Sequence, residues 1–169
     1  MCKSGINWDE PLPDELRPGW ERWHSDCANL RDVRLPRCYK PKDFGKVISA
    51  ELHHFSDTSM NGYGQCSYLL LVGKDCVHCS LLSGKARVAP TKIVTIPRLE
   101  LPAAVVSAKM SNILRHELEI SIDQEYFWTD SKVVLAYISS EAKRFHVFVA
   151  NRVQRIRQIS EPSQWHYVI

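Results

Sequence analysis

Apolar residues recur along this chain in two rhythms. Leu16, Trp20, Trp23, Cys27 and Leu30 follow at alternating steps of four and three, which puts them on one face of a helix predicted to begin near Pro13 and Asp14. Such a face needs a packing partner. Residues 33–41, with Pro36 and Pro41, read as an extended connector. From about Val47 the rhythm shortens to strand-sized runs. Residues 52–57 form a candidate strand, Asn61-Gly62-Tyr63-Gly64 is a turn signal leading into a strand over 65–72, and Gly73-Lys74-Asp75 turns the chain into a third strand over 76–82. Three strands with short turns make an antiparallel meander. A helix over 97–118, a strand over 125–129, helices over 130–138 and 145–159, and a strand over 164–169 complete the order. Helical crossovers make the last two strands run parallel to the first, so the expected class is α/β: a mixed five-stranded sheet flanked by helices.

Composition changes this picture little. The hydrophobic share of 44% and charged share of 24% are those of an ordinary globular chain, which excludes a disordered or fibrous class. No run approaches the roughly 20 apolar residues of a membrane span, and residues 1–9 lack the apolar core of a secretory signal. The expectation is an intracellular protein, cytoplasmic or nuclear, with no targeting signal and no membrane partner. A net charge of +3 admits a polyanionic partner without demanding one. Five of the nine prolines and three of the five tryptophans fall before residue 46, so the expected organisation is an appendage over 1–46 and a domain over 47–169. Cys76-x-x-Cys79 could be half of a zinc knuckle or a redox pair. With no second pair to complete it, the preferred reading is a strand that buries both cysteines as small apolar residues.

Three acids stand beside apolar, structure-forming residues: Asp57 at the end of the first strand, Glu100 near the start of the long helix, and Asp130 at the end of the fourth strand. If the first and fourth strands are neighbours, Asp57 and Asp130 come from adjacent strands and the helix can lay Glu100 beside them. Clustered carboxylates repel unless a cation sits among them, and their hard oxygens favour magnesium or manganese. The chemistry such a cluster suggests is metal-assisted phosphodiester hydrolysis. Each residue alone has a structural alternative: Asp130-Ser131 as a helix N-cap pair, Asp57 as a turn aspartate, Glu100 as a complement to a helix N-terminus. At this point both readings stand.

More specific motifs run in order along the chain. They are Phe55-Ser56-Asp57-Thr58-Ser59 with Tyr63-Gly64 and Tyr68, then Lys85-Ala86-Arg87-Val88-Ala89-Pro90, Ile96-Pro97-Arg98-Leu99-Glu100-Leu101, Trp128-Thr129-Asp130-Ser131, and Phe148-Val149-Ala150-Asn151-Arg152-Val153. Together they resemble the ribonuclease H-like domain of BEL/Pao retrotransposon polyproteins, the Pao retrotransposon peptidase family. Trp8-Asp9-Glu10-Pro11-Leu12-Pro13 and the helix after it resemble the tail of the reverse transcriptase region that precedes this domain. The resemblance implies a ribonuclease H-like fold in which acidic residues bind two magnesium ions and cleave the RNA strand of an RNA:DNA hybrid. Asp57, Glu100 and Asp130 match three of those acids, as metal ligands and catalytic residues. A fourth acid is expected on a helix after the final strand, which Trp165-His166-Tyr167-Val168-Ile169 resembles. Since the sequence stops there, the expectation is a C-terminally truncated domain with one Mg2+ or Mn2+ site complete and impaired cleavage. The implied partners are an RNA:DNA hybrid or other nucleic acid, and a reverse transcriptase domain.

Pro102 makes the local geometry of Glu100 an open question. Proline past the first turn costs a helix about 3 kcal/mol, so the helix starts either near Pro97 with a misplaced proline or near Pro102 itself. For substrate contacts, Lys85, Arg87 and Lys92 add positive charge around the third strand and the loop after it. Arg152, Arg155 and Arg157 point away from an apolar stripe of Phe145, Phe148 or Val149, Val153, Ile156 and Ile159. Lys85, Arg87, Arg152 and Arg155 are the candidate phosphate contacts. Two alternatives compete with a nuclease. One is a non-catalytic remnant that binds nucleic acid. The other, an aspartic peptidase, is weaker, because neither Asp57-Thr58-Ser59 nor Asp130-Ser131-Lys132 supplies the glycine of an Asp-Thr/Ser-Gly turn.

Overall fold

The computed structural model describes residues 7, 9–34, 36–90, 95–140 and 145–169. The chain divides into two compact units, 1–38 and 39–169. In the first unit, helix α1 spans Arg17–Asp26 and tightens into a 3-10 turn over Cys27–Asp32. It starts later than the spacing predicts because residues 14–16 form a turn, with the amides of Leu16 and Arg17 both bonded to the Pro13 carbonyl. Trp20 and Trp23 on its apolar face are exposed, and Trp20 stacks on His24.

The second unit is built on five strands: β1 (Ser49–Thr58), β2 (Gly62–Val72), β3 (Val77–Val88), β4 (Gln124–Thr129) and β5 (Trp165–Tyr167). Their order in the sheet is β3-β2-β1-β4-β5, with the meander antiparallel and β4 and β5 parallel to β1. This is the mixed sheet that the sequence predicts. In β1 and β2 alternate residues are buried, with Ala50, Leu52, His54 and Ser56 beside Gln65, Ser67, Leu69 and Leu71. The β3 strand lies at the sheet edge and runs to Val88, so Lys85, Ala86 and Arg87 are strand residues. That position also corrects the reading of the cysteine pair. Cys76 and Cys79 are both exposed free thiols: Cys79 lies on the outer strand and Cys76 just before it, where there is little cover.

Three helices complete the unit: α2 (Ile96–Glu117), α3 (Lys132–Ser139) and α4 (Val147–Arg157). Helix α2 turns small side chains inward, burying Ala103, Ala104, Ser107, Ala108 and Ser111, which lets it lie close to β1 and β2. Ser131 caps α3 by accepting a hydrogen bond from the Val134 amide at 3.1 Å. One apolar cluster joins α2, α3 and α4 to the sheet through Leu101, Phe127, Val134, Ile138, Ile156 and Trp165. A second gathers Phe44, Ala50, Leu52, Leu69 and Leu71 at the other end. Arg157, expected on the outer face of α4, has a different task. It is half-buried and donates to the carbonyls of Ile138 (2.9 and 2.6 Å) and Ser140 (2.9 Å), closing the end of α3.

A buried polar network crosses the same core. Glu125 on β4 accepts hydrogen bonds from His54 Nε2 at 3.0 Å, Ser111 Oγ at 2.6 Å and, more weakly, Arg115 Nη1 at 3.4 Å. His54 Nδ1 lies 2.7 Å from Ser67 Oγ. Burial pushes the Glu125 carboxyl up, but the bonds from His54 and Ser111 and the charges of His54 and Arg115 outweigh it, so it titrates below the ordinary glutamate value.

Candidate functional site

The β1 and β4 strands pair in parallel up to Ser56 opposite Thr129. Asp57 and Asp130 are the next residue on each, so the two carboxylates emerge from neighbouring strand ends, and both are exposed. The Asp57 carboxylate accepts from the Thr58 amide. Helix α2 begins at Ile96 and continues through Pro102, which settles the proline question: the helix tolerates it. Glu100 then lies past the first turn, where it does not complement the helix terminus. It is half-buried, and its Oε2 accepts from Ser131 Oγ at 2.6 Å. Because Ser131 follows Asp130, this bond ties Glu100 to the end of β4. The capping role open to Asp130-Ser131 belongs to Ser131 alone, leaving the Asp130 carboxylate uncommitted.

All three acids therefore stand at one end of the sheet, and among the described residues none is paired with a cationic side chain. Their oxygen donors suit a hard divalent cation. Among the described residues no three of His, Cys, Asp and Glu form a closed metal-binding group. The arrangement offers two free strand-end carboxylates with a third tethered nearby, an open set of donors.

The candidate cations divide. Lys85, Arg87 and Arg152 meet around a single cleft of about 190 Å³, together with Lys109 and Tyr63. Arg152 is held in place: its guanidinium lies 3.5 Å from the Phe148 ring centre, and its Nη1 donates to the Phe148 carbonyl at 3.0 Å. Burial lowers its pKa from the usual arginine value, with Tyr63 opposing the shift. Arg155 is exposed, outside this cleft, and bonds Gln158 at 3.2 Å. Lys92 lies outside the described residues. Sequence reasoning missed Lys109 and Tyr63. A signal existed for Lys109, since Pro102, Val106, Lys109 and Ile113 recur at steps of four, three and four on α2 and so share one face.

A family model described as "Pao retrotransposon-like RNaseH-like domain" matches residues 1–131. No curated protein sequence matches the chain. Among solved structures, the chain is similar to RNase H1 from the halophilic archaeon Halobacterium salinarum NRC-1, with TM-score 0.42 and 11% identity over 71% of this chain and 83% of that one. It is also similar to the N-terminal RNase H domain of a Mycobacterium tuberculosis protein, with TM-score 0.43 and 14% identity over 71% and 85% of the two chains. A third likeness is to LC11-RNase H1 in complex with an RNA/DNA hybrid, with TM-score 0.43 and 8% identity over 71% and 83%. Among the described residues no helix is long and apolar enough to cross a membrane.

Proposed function

Because the chain belongs to the Pao retrotransposon-like RNaseH-like domain family, we propose that it acts on the RNA strand of an RNA:DNA hybrid as a metal-dependent endonuclease. The observation that carries this reading is the emergence of Asp57 and Asp130 from adjacent parallel strand ends, with Glu100 tied beside them through Ser131. Asp57, Glu100 and Asp130 would hold Mg2+ or Mn2+, which when bound supplies Lewis-acid stabilisation of the phosphate and acidifies a water. The protein's own contribution is positioning. Ser131 fixes one Glu100 oxygen and leaves the other without a side-chain partner among the described residues. Lys85, Arg87 and Arg152 hold phosphates of the substrate, and Arg155 adds charge at the exposed side of α4.

Residues 1–46 we read as the tail of a reverse transcriptase region, which would make a reverse transcriptase domain the natural partner. The Trp8 to Pro13 resemblance supports this. A second reading, hybrid binding without cleavage, is favoured by one observation: the three acids do not form a closed metal group among the described residues. A peptidase is not supported, because a mixed α/β sheet and acids without following glycines give no aspartic dyad.

The test is magnesium-dependent cleavage of a labelled RNA:DNA hybrid by the purified chain, with Asp57→Asn as control. The nuclease reading expects cleavage well above that control, because Asp57→Asn removes a proposed metal ligand. Cleavage equal to the control, with retained hybrid binding, replaces it by the binding reading.

A further inference from the structure

The cleft at Lys109 is built for more than a phosphate. Its lining carries Lys85, Arg87, Lys109 and Arg152, and among the described residues no carboxylate lines it. Among the described residues Lys85, Arg87 and Lys109 have no acidic partner, so four cations face one small volume uncompensated, an arrangement that attracts a polyanion. The rest of the lining is different in kind. Pro102, Val105, Val106, Met110 and Ile113 of α2 add apolar surface, and Tyr63 adds a ring. Ile113 is 49% exposed, so this apolar surface is open to a ligand.

A phosphate needs only the cations. Apolar surface beside clustered cations fits a group that is flat and apolar at one end and anionic at the other, which describes a nucleotide with its base turned inward. Bases within a duplex are stacked and cannot enter without a cost in unstacking, whereas a single strand presents them freely. The cleft adjoins the carboxylate end, because Tyr63 pairs with Thr58, the residue after Asp57, and with Arg87. A strand leaving the site therefore reaches it directly.

We propose that this cleft seats a nucleotide of a single-stranded segment continuous with the hybrid. The inference rests on the reading of the chain as a hybrid-processing domain. It makes the preferred substrate a hybrid with a single-stranded tail, with Lys109, Arg87 and Ile113 as tail-binding residues.

Fluorescence anisotropy in EDTA, where turnover is blocked, tests it with two probes: a blunt RNA:DNA hybrid and the same hybrid extended by a single-stranded tail. The tail is expected to tighten binding about tenfold, the effect of one seated base. The double substitution Arg87→Ala, Lys109→Ala removes that gain and lowers the salt-dependence slope for the tailed probe by about 2. Ile113→Lys separates seating from charge, because it adds a cation while removing apolar lining, so loss of the tail gain supports a seated base. Far-UV circular dichroism confirms that these surface variants are folded. The inference is overturned if the tail gives no gain in the wild-type chain, or if folded variants keep the full gain. Failure of cleavage with the tail gain intact counts against the nuclease reading alone.

Discussion

Glu125 and Asp130 sit at opposite ends of β4, and the fold treats them in opposite ways. Glu125 is buried with three side-chain donors already in place. Asp130 is exposed, and the cap beside it is made by its neighbour. The same contrast runs along β1, from His54 inside the network to Asp57 at the open end. Two adjacent strands thus carry acidic chemistry of two kinds. Where the partners are supplied by the protein, the acid holds the fold together. Where they are withheld, its charge is left uncompensated among the described residues.

The comparison breaks most readily through Glu125. Glu125→Ala leaves His54 and Ser111 buried without their acceptor, and a loss of about 3 to 5 kcal/mol is expected in urea unfolding. Asp130→Asn in the same measurement should stay within about 0.5 kcal/mol of wild type; equal losses would erase the distinction. Acid titration sharpens it. The folded Glu125 pKa is depressed below its ordinary 4.5, so its stabilisation is full above that value and is lost as pH falls through the lower folded value. A thermal melt series from neutral to acid pH should therefore show a steeper acid limb for wild type than for Glu125→Gln, with Asp130→Asn following wild type. A smaller loss than that of Glu125→Ala belongs to Ser131, which links capping to the site. Ser131→Ala removes the α3 cap at a cost of about 1 kcal/mol and frees Glu100, and Ser131→Thr should recover most of the loss.

Much of the sheet was legible because alternate burial follows directly from the strand period. The extent of β3 was not. Lys85 to Arg87 look like loop residues, yet they are laddered against Tyr63 to Gln65 on the outer strand, where polar side chains cost nothing. The same edge position defeated the expectation of buried cysteines at Cys76 and Cys79. That the first and fourth strands are neighbours, only a condition in the sequence, is what puts Asp57 and Asp130 side by side. The tether of Glu100 to Ser131 was hidden, because a helix spacing does not reveal which hydroxyl an acid will meet 31 residues away. The His54 to Glu125 contact spans 71 residues and joins two positions that each look like ordinary strand polar residues.

The edge position of β3 has a further consequence, for self-association. Twelve residues long and with Val77, Leu81 and Val88 exposed, it is a template on which another chain could extend the sheet. The register shift opposite Ser67 and Tyr68 interrupts the ladder that an incoming strand would match, and Lys85 and Arg87 place repelling charge along its last third. The charges proposed to meet a polyanion thus also keep one copy of the chain from growing onto the next.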